Sequence, residues 1–209
     1  GNTWTNITPS TLDVGTRIAD MEISNTGRLH VVKGYYNSTT AQSGSFYTDN
    51  PATVTSSGWQ SPGLPIPDLR FNCELAVAGN TLYALPSNSS FQTPTLYKST
   101  DGGFTWAATT TTPTVSGTTY TNLSSGQGWY CIALGVDPSN PDNVIVGGLN
   151  GYRSSDGGTS WTQIGQWVGS GPYIHADHHT IAWNGTQVLY SSDGGLDYSS
   201  DNGITYTDR

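Results

Sequence analysis

Long apolar runs are missing from this 209-residue chain, and no stretch approaches the roughly 20 residues a helix needs to cross a bilayer. No transmembrane segment is therefore expected. Basic charge is also scarce. Seven Lys and Arg face fifteen Asp and Glu, for a formal net charge of -8, so no basic stripe exists to neutralise phosphates, and nucleic acid is excluded as the expected partner. Cysteine is limited to Cys73 and Cys131, too few for a disulfide scaffold and not spaced as a Cys-x-x-Cys metal pair. Two buried thiols and a single bridge both fit, although strand starts one repeat apart are far for bridge geometry. The chain opens on Gly1 without a Met or a signal-peptide apolar region, as expected of a processed chain or a fragment.

Helical periodicity is absent as well. Ser, Thr and Tyr abound, with 26 Gly, 11 Pro and 7 Trp, a mixture that favours many short strands and turns. Short alternating runs such as Thr81-Leu-Tyr-Ala-Leu85 and Val188-Leu-Tyr190 recur, and the fold class expected is all-β.

The strongest internal signal is Ser99-Thr-Asp-Gly-Gly-Phe-Thr-Trp106. It returns as Ser154-Ser-Asp-Gly-Gly-Thr-Ser-Trp161 and, more loosely, as Ser199-Ser-Asp-Asn-Gly-Ile-Thr-Tyr206. Asp101, Asp156 and Asp201 stand 55 and 45 residues apart, close to the roughly 40–50 residues of one four-stranded propeller blade. The chemistry is that of a tight turn. The Asp accepts backbone N–H groups, the Ser adds a local hydrogen bond, glycines such as Gly103, Gly158 and Gly203 supply φ > 0, and the aromatic returns to the core. Upstream of each box runs an apolar strand pair: Leu75–Val77 with Thr81–Leu85, Leu134–Val136 with Val144–Val146, and Ile181–Trp183 with Val188–Tyr190. An earlier pair, Met21–Ile23 with Leu29–Val32, leads toward Gly58-Trp59 without a clean box. Gly1-Asn-Thr-Trp4 reads as the tail of a further box. Four blades are expected, over approximately 5–60, 68–110, 125–165 and 172–209.

These boxes make the chain similar to the Asp-box (BNR-repeat) β-propellers, which include sialidases, xyloglucan-degrading glycoside hydrolases and sortilin-like receptor domains. The segment from Gly128-Trp-Tyr130 through Val136-Asp-Pro-Ser-Asn-Pro141 and Val146-Gly-Gly148, with His175-Ala-Asp-His-His179 and Ser192-Asp-Gly-Gly195, most resembles exported Bacteroidetes members. The resemblance implies a ring of six to eight blades, of which this is part, the remaining blades coming from the same protein or another chain. It also implies a secreted or cell-surface location. Five Asn-x-Ser/Thr sequons, at Asn6, Asn37, Asn88, Asn122 and Asn184, would be glycan acceptors in a eukaryotic secretory pathway. The sialidases' arginine triad has no counterpart here, since Arg17 only faintly echoes it and Arg28 reads as a turn residue, so sialidase activity is not expected.

Propeller ligands usually meet the ends of the innermost strands and their loops. Aligning the repeats brings Arg17 and Asp20, Arg70 to Glu74, Trp129 to Cys131, and His175 to His179 together. Strand alternation would put His175, Asp177 and His179 on one face and His178 on the other. That face suits a divalent metal such as zinc, a hydrogen-bonded polar cluster, or direct ligand contact. The ligand-binding set expected is Arg70, Trp129, Tyr130, His175, Asp177, His178 and His179, with Trp167 and Tyr173 as further aromatics able to stack on sugar rings. Glycoside hydrolysis would need two carboxylates about 5–9.5 Å apart, for which Asp20, Glu74 and Asp177 are the candidates. Asp193-Gly-Gly-Leu-Asp197 is explained by a hairpin turn. The reading that results is a non-catalytic propeller module binding a glycan or a protein partner. A polysaccharide-cleaving glycoside hydrolase and a structural repeat module of an exported assembly are the alternatives.

Overall fold

A computed structural model describes residues 3–10, 17–34, 44–61, 63–65, 72–109, 114–115, 118–119 and 122–208. Among these residues there are strands and turns and no helix. The first sheet comprises β1 (Arg17–Ile23), β2 (Leu29–Gly34) and β3 (Ser45–Thr48), and the second β4 (Cys73–Ala78), β5 (Thr81–Pro86), β6 (Tyr97–Ser99) and β7 (Ala107–Ala108). A small hairpin, β8 (Thr114–Val115) with β9 (Thr118–Thr119), precedes the third sheet. That sheet is β10 (Ala133–Asp137), β11 (Asn140–Gly147), β12 (Gly151–Ser154) and β13 (Thr162–Gly165). The fourth is β14 (His178–Asn184), β15 (Gln187–Ser192), β16 (Gly195–Ser199) and β17 (Thr207–Asp208).

Each sheet is an antiparallel meander, and its first strand touches the first strand of the next: β1 on β4, β4 on β10, β10 on β14. Four blades therefore follow one another around an axis, which is the arrangement of a β-propeller. The core lies between blades rather than within one. Ala76, Tyr83, Leu85 and Leu96 of the second blade interlock with Leu134, Val136, Val144 and Val146 of the third. Ala133, Ile145 and Ile164 of the third meet Ile181, Val188 and Tyr190 of the fourth. Fully burying each such aliphatic side chain contributes roughly 1.5–3 kcal/mol. Close approach of the inner strands depends on Gly135, where a Cβ would lie 2.5 Å from Ile181 Cγ2.

The three boxes close the hairpins β6–β7, β12–β13 and β16–β17 with one bonding scheme. Ser99 Oγ donates to Asp101 at 2.8 Å and accepts from Gly103 N at 2.9 Å, while Asp101 Oδ1 accepts from Phe104 N and Thr105 N. Ser154 and Asp156 repeat it with Gly158, Thr159 and Ser160, and Ser199 and Asp201 with Gly203, Ile204 and Thr205. The aromatics return as expected: Trp161 is buried, and Trp106 and Tyr206 pack partly buried against the core. In the first blade Thr48 Oγ1 accepts from Asn50 N at 3.1 Å, the counterpart of the bond from Asp101 N to Ser99 Oγ, and a two-way backbone pairing of Tyr47 with Gln60 stands in for a fourth strand. Trp4 is fully out in solvent, while Ile7 and Ser10 bond to Trp59 and Ser56 of the first blade.

Cys73 and Cys131 are both free and buried. Burial first, and then the neighbouring carboxylates Glu74 and Asp20, push the Cys73 thiol well above the usual range. The sequon at Asn122 is buried, its Oδ1 accepting from Ser124 Oγ and Gly126 N, so this side chain serves the loop.

Candidate functional site

The box turns occupy one end of the blades. At the other end the inner strands begin, and there the connections are long: 122–132 before β10 and 166–177 before β14. The expected ligand residues divide at this end. Arg70 lies outside the described residues. Trp129 and Tyr130 sit on a turn before β10, fixed by backbone bonds from Tyr130 N and Cys131 N to Gln127 O and from Gly128 N to Phe91 O. Their side chains are 45% and 44% exposed. Four rings adjoin in sequence: Phe91 meets Trp129 edge-on at 6.4 Å, Trp129 tilts against Tyr130 at 5.3 Å, and Tyr130 meets His179 edge-on at 5.2 Å between centroids. Asp193, in the β15–β16 turn, ties the end of this ridge. His179 Nε2 donates to it at 2.7 Å and Tyr130 Oη at 3.0 Å. Those two bonds hold its carboxyl below the usual range.

The metal set expected at His175, Asp177 and His179 does not form. Among the described residues, no three His, Cys, Asp or Glu side chains stand together as ligands. The alternation that would have aligned them requires a strand through 175–179, but β14 begins only at His178 and Asp177 has φ 65°. His175 instead packs its ring over Gly194, His179 turns to Asp193, and Asp177 lies beside the buried Cys131 thiol. His178 is fully buried, edge-on to Tyr190 at 4.9 Å, and burial lowers its pKa to about 4. This places it behind the surface that the ridge presents.

Of the three carboxylates considered for catalysis, Asp177 stands apart while Asp20 and Glu74 come together. Asp177 belongs to the loop before β14. Asp20 and Glu74 are neighbours on the inner strands of the first two blades, but both Asp20 oxygens are occupied by main chain, Oδ1 by Met21 N at 2.7 Å and Oδ2 by Leu75 N at 2.8 Å. Asp20 therefore stitches β1 to β4. Glu22, two residues on, joins the cluster and was not singled out by the sequence. Burial, then Asp20 and Glu22, push Glu74 up to about 9, and burial with Asp20 pushes Glu22 up to about 7. Glu22 also lines an axial cavity of about 180 Å³ with Ala76, Gly135, Ile181 and Trp183, residues from all four blades.

Fold and site together define a β-propeller arc with an aromatic ridge at the strand-start end. Among solved structures it is similar to the GH74 xyloglucanase of Xanthomonas campestris (TM-score 0.59, 16% identity, 90% of this chain and 28% of that one). It is also similar to YCF48 from Cyanidioschyzon merolae (0.55, 13%, 94% and 56%) and to the GH74 enzyme of Niastella koreensis (0.51, 20%, 92% and 30%). At such identity the likeness is one of fold, and the chain spans less than a third of either GH74 enzyme's length. No family model and no curated protein matches the chain.

Proposed function

We propose that this chain is part of a secreted or cell-surface propeller of the Asp-box (BNR-repeat) type, and that it binds a carbohydrate chain without cleaving it. The observation that carries this reading is the ridge Phe91–Trp129–Tyr130–His179, of which Trp129, Tyr130 and His179 are exposed, braced by Asp193. Flat aromatic faces held by backbone-bonded turns stack on the apolar faces of sugar rings, and a fixed carboxylate beside them accepts from sugar hydroxyls. Trp167 and Tyr173 are also exposed, on the loop before β14. Titration calorimetry against a panel of neutral plant and algal oligosaccharides tests it. Trp129→Ala should weaken the best ligand by roughly tenfold, about 1.4 kcal/mol. A panel without any binder, or a binder indifferent to Trp129→Ala with Tyr130→Ala, overturns it.

A hydrolytic reading has one observation in its favour, the Glu22 and Glu74 carboxyls raised together on adjacent inner strands, since a raised acid is what protonation of a leaving sugar requires. Release of reducing ends that Glu74→Gln abolishes would establish it over simple binding. A protein partner is the third reading. A structure of YCF48 holding the D1 peptide (TM-score 0.51, 13% identity) shows that another propeller of similar fold binds a polypeptide.

A further inference from the structure

We infer that Asn184 is a site of spontaneous covalent modification, at which the side-chain amide closes on the next backbone nitrogen to a succinimide that water opens to aspartate or isoaspartate. The step needs only the chain and water. Gly185 N gives up its proton and bonds to Asn184 Cγ, ammonia leaves with the amide nitrogen, and one water molecule splits the ring at either carbonyl. Glycine obstructs this attack least of all following residues, because it has no Cβ. What the reaction requires of the fold is a glycine N–H free of hydrogen bonds and a side chain free to turn toward it.

Asn or Asp precedes Gly at six places in the chain, and the fold restrains five of them. In the box turns Gly102 N donates to Asn80 O at 2.9 Å, Gly157 N to Asp142 O at 3.0 Å and Gly203 N to Ser199 Oγ at 2.8 Å. Gly194 N donates to Ser192 Oγ at 3.2 Å. Gly151 is buried within β12, paired with Gly147 on one side and Gly165 on the other, while Asn150 Oδ1 is occupied by Trp167 N at 3.3 Å.

The sixth step, Asn184 to Gly185, escapes all of these restraints. Asn184 pairs with Gln187 across β14 and β15, so Gly185 and Thr186 are the whole loop, and Gly185, with φ 62°, opens the primed turn that suits so short a hairpin. Asn184, Gly185 and Thr186 are all exposed. Among the described residues Gly185 N donates to no turn or loop acceptor, and a Cβ on Gly185 would meet nothing within 4 Å. The tip is nevertheless wired to its surroundings. Thr186 O accepts from Asn202 N at 2.9 Å, and Asn202 O accepts from Arg153 Nε of the third blade at 3.0 Å. An isoaspartyl link, which lengthens the main chain by one carbon, thus enters a series of bonds that joins the hairpin to the last box and to the preceding blade.

Incubating the full chain in oxygen-18 water at mildly alkaline pH, followed by peptide mapping, reads the site directly. In the folded protein solvent oxygen should enter the Asn184 peptide at least tenfold faster than the Asn150 and Asn202 peptides, and in urea the three should react at comparable rates. Asn184→Gln should remove the acidic species that isoelectric focusing resolves first in the aged protein. Equal rates for the three asparagines in the folded chain overturn the inference. So does an acidic species that forms as fast in Asn184→Gln as in the unsubstituted chain.

Discussion

Arg28 of the first blade lies over the ring of Phe104 in the second, with its guanidinium carbon 3.8 Å from the ring centroid, and it donates at the same time to Gly102 O and to Asp49. The side chain is nearly buried and stacks on Tyr47 as well, at 4.3 Å. Arg28→Ala should therefore lower stability by about 1–3 kcal/mol, combining a partly desolvated cation–π contact with a charge-assisted hydrogen bond. Arg28→Lys should recover little of it, because an ammonium cannot stack and fork in one position. Urea unfolding of the three proteins measures both effects.

Neighbouring glycines in one turn separate two costs. Gly102 and Gly103 both have positive φ, 75° and 85°. A Cβ at Gly102 meets nothing within 4 Å, while one at Gly103 would sit 2.4 Å from His30 Cε1. Gly102→Ala should cost only the left-handed backbone term, about 1–2 kcal/mol. Gly103→Ala should cost that and a further steric term of about 1–3 kcal/mol. Equal losses in a thermal or chemical denaturation series would show that the two blades do not press together there.

The two buried histidines should lose their contribution to stability in mild acid. Burial holds both His30 and His178 down to about 4, against roughly 6.5 in the unfolded chain. At these two side chains the unfolded state then binds more protons between these values, so the histidine contribution to stability is complete above about pH 6.5 and falls as pH drops toward 4, against the opposite slope of Glu22 and Glu74. Replacing His178 by Phe, which keeps a ring against Tyr190, should flatten that slope. Denaturation midpoints at pH 7 and pH 5 provide the comparison.

Glu74 acts in the opposite direction. Its folded value of about 9 lies above the unfolded carboxyl value near 4.3, so the native state keeps a proton that the unfolded chain has released. Stability should decline as pH rises through this interval and level off above it. Glu74→Gln, neutral at every pH, should stabilise the protein near pH 8, because the unfolded chain no longer gains by releasing a proton. No gain at pH 8 would mean that the carboxyl is solvated in the native state.

Much of the scaffold could be read from residue order because its signals are local. The inner pairs alternate or run apolar, and the boxes carry turn chemistry within eight residues. The third strands are quieter. Tyr97–Ser99 and Gly151–Ser154 are short and half polar, and they become strands only because β5 and β11 offer a free edge. The first blade's turn was obscured because Thr48 and Asn50 replace Ser and Asp and the hairpin is lengthened after them. At the candidate site, Trp129, Tyr130 and His179 stand out in the sequence by residue type, whereas their bracing does not. Asp193 is 14 residues from His179 and 63 from Tyr130 in sequence, and strand pairing alone brings them together. The histidine alternation failed on a single backbone angle at Asp177. Arg28, which reads as a turn residue, proved to be an inter-blade clamp.

The segregation of short box turns to one end and long connections to the other has an evolutionary reading. Substitutions and insertions in 122–132 and 166–177 can accumulate while the Ser–Asp–Gly bonding at the far end continues to set blade spacing. The loops at that end can therefore diversify among descendants of this chain while the architecture is inherited almost unaltered, the same division of labour that lets loop libraries be grafted on a fixed framework.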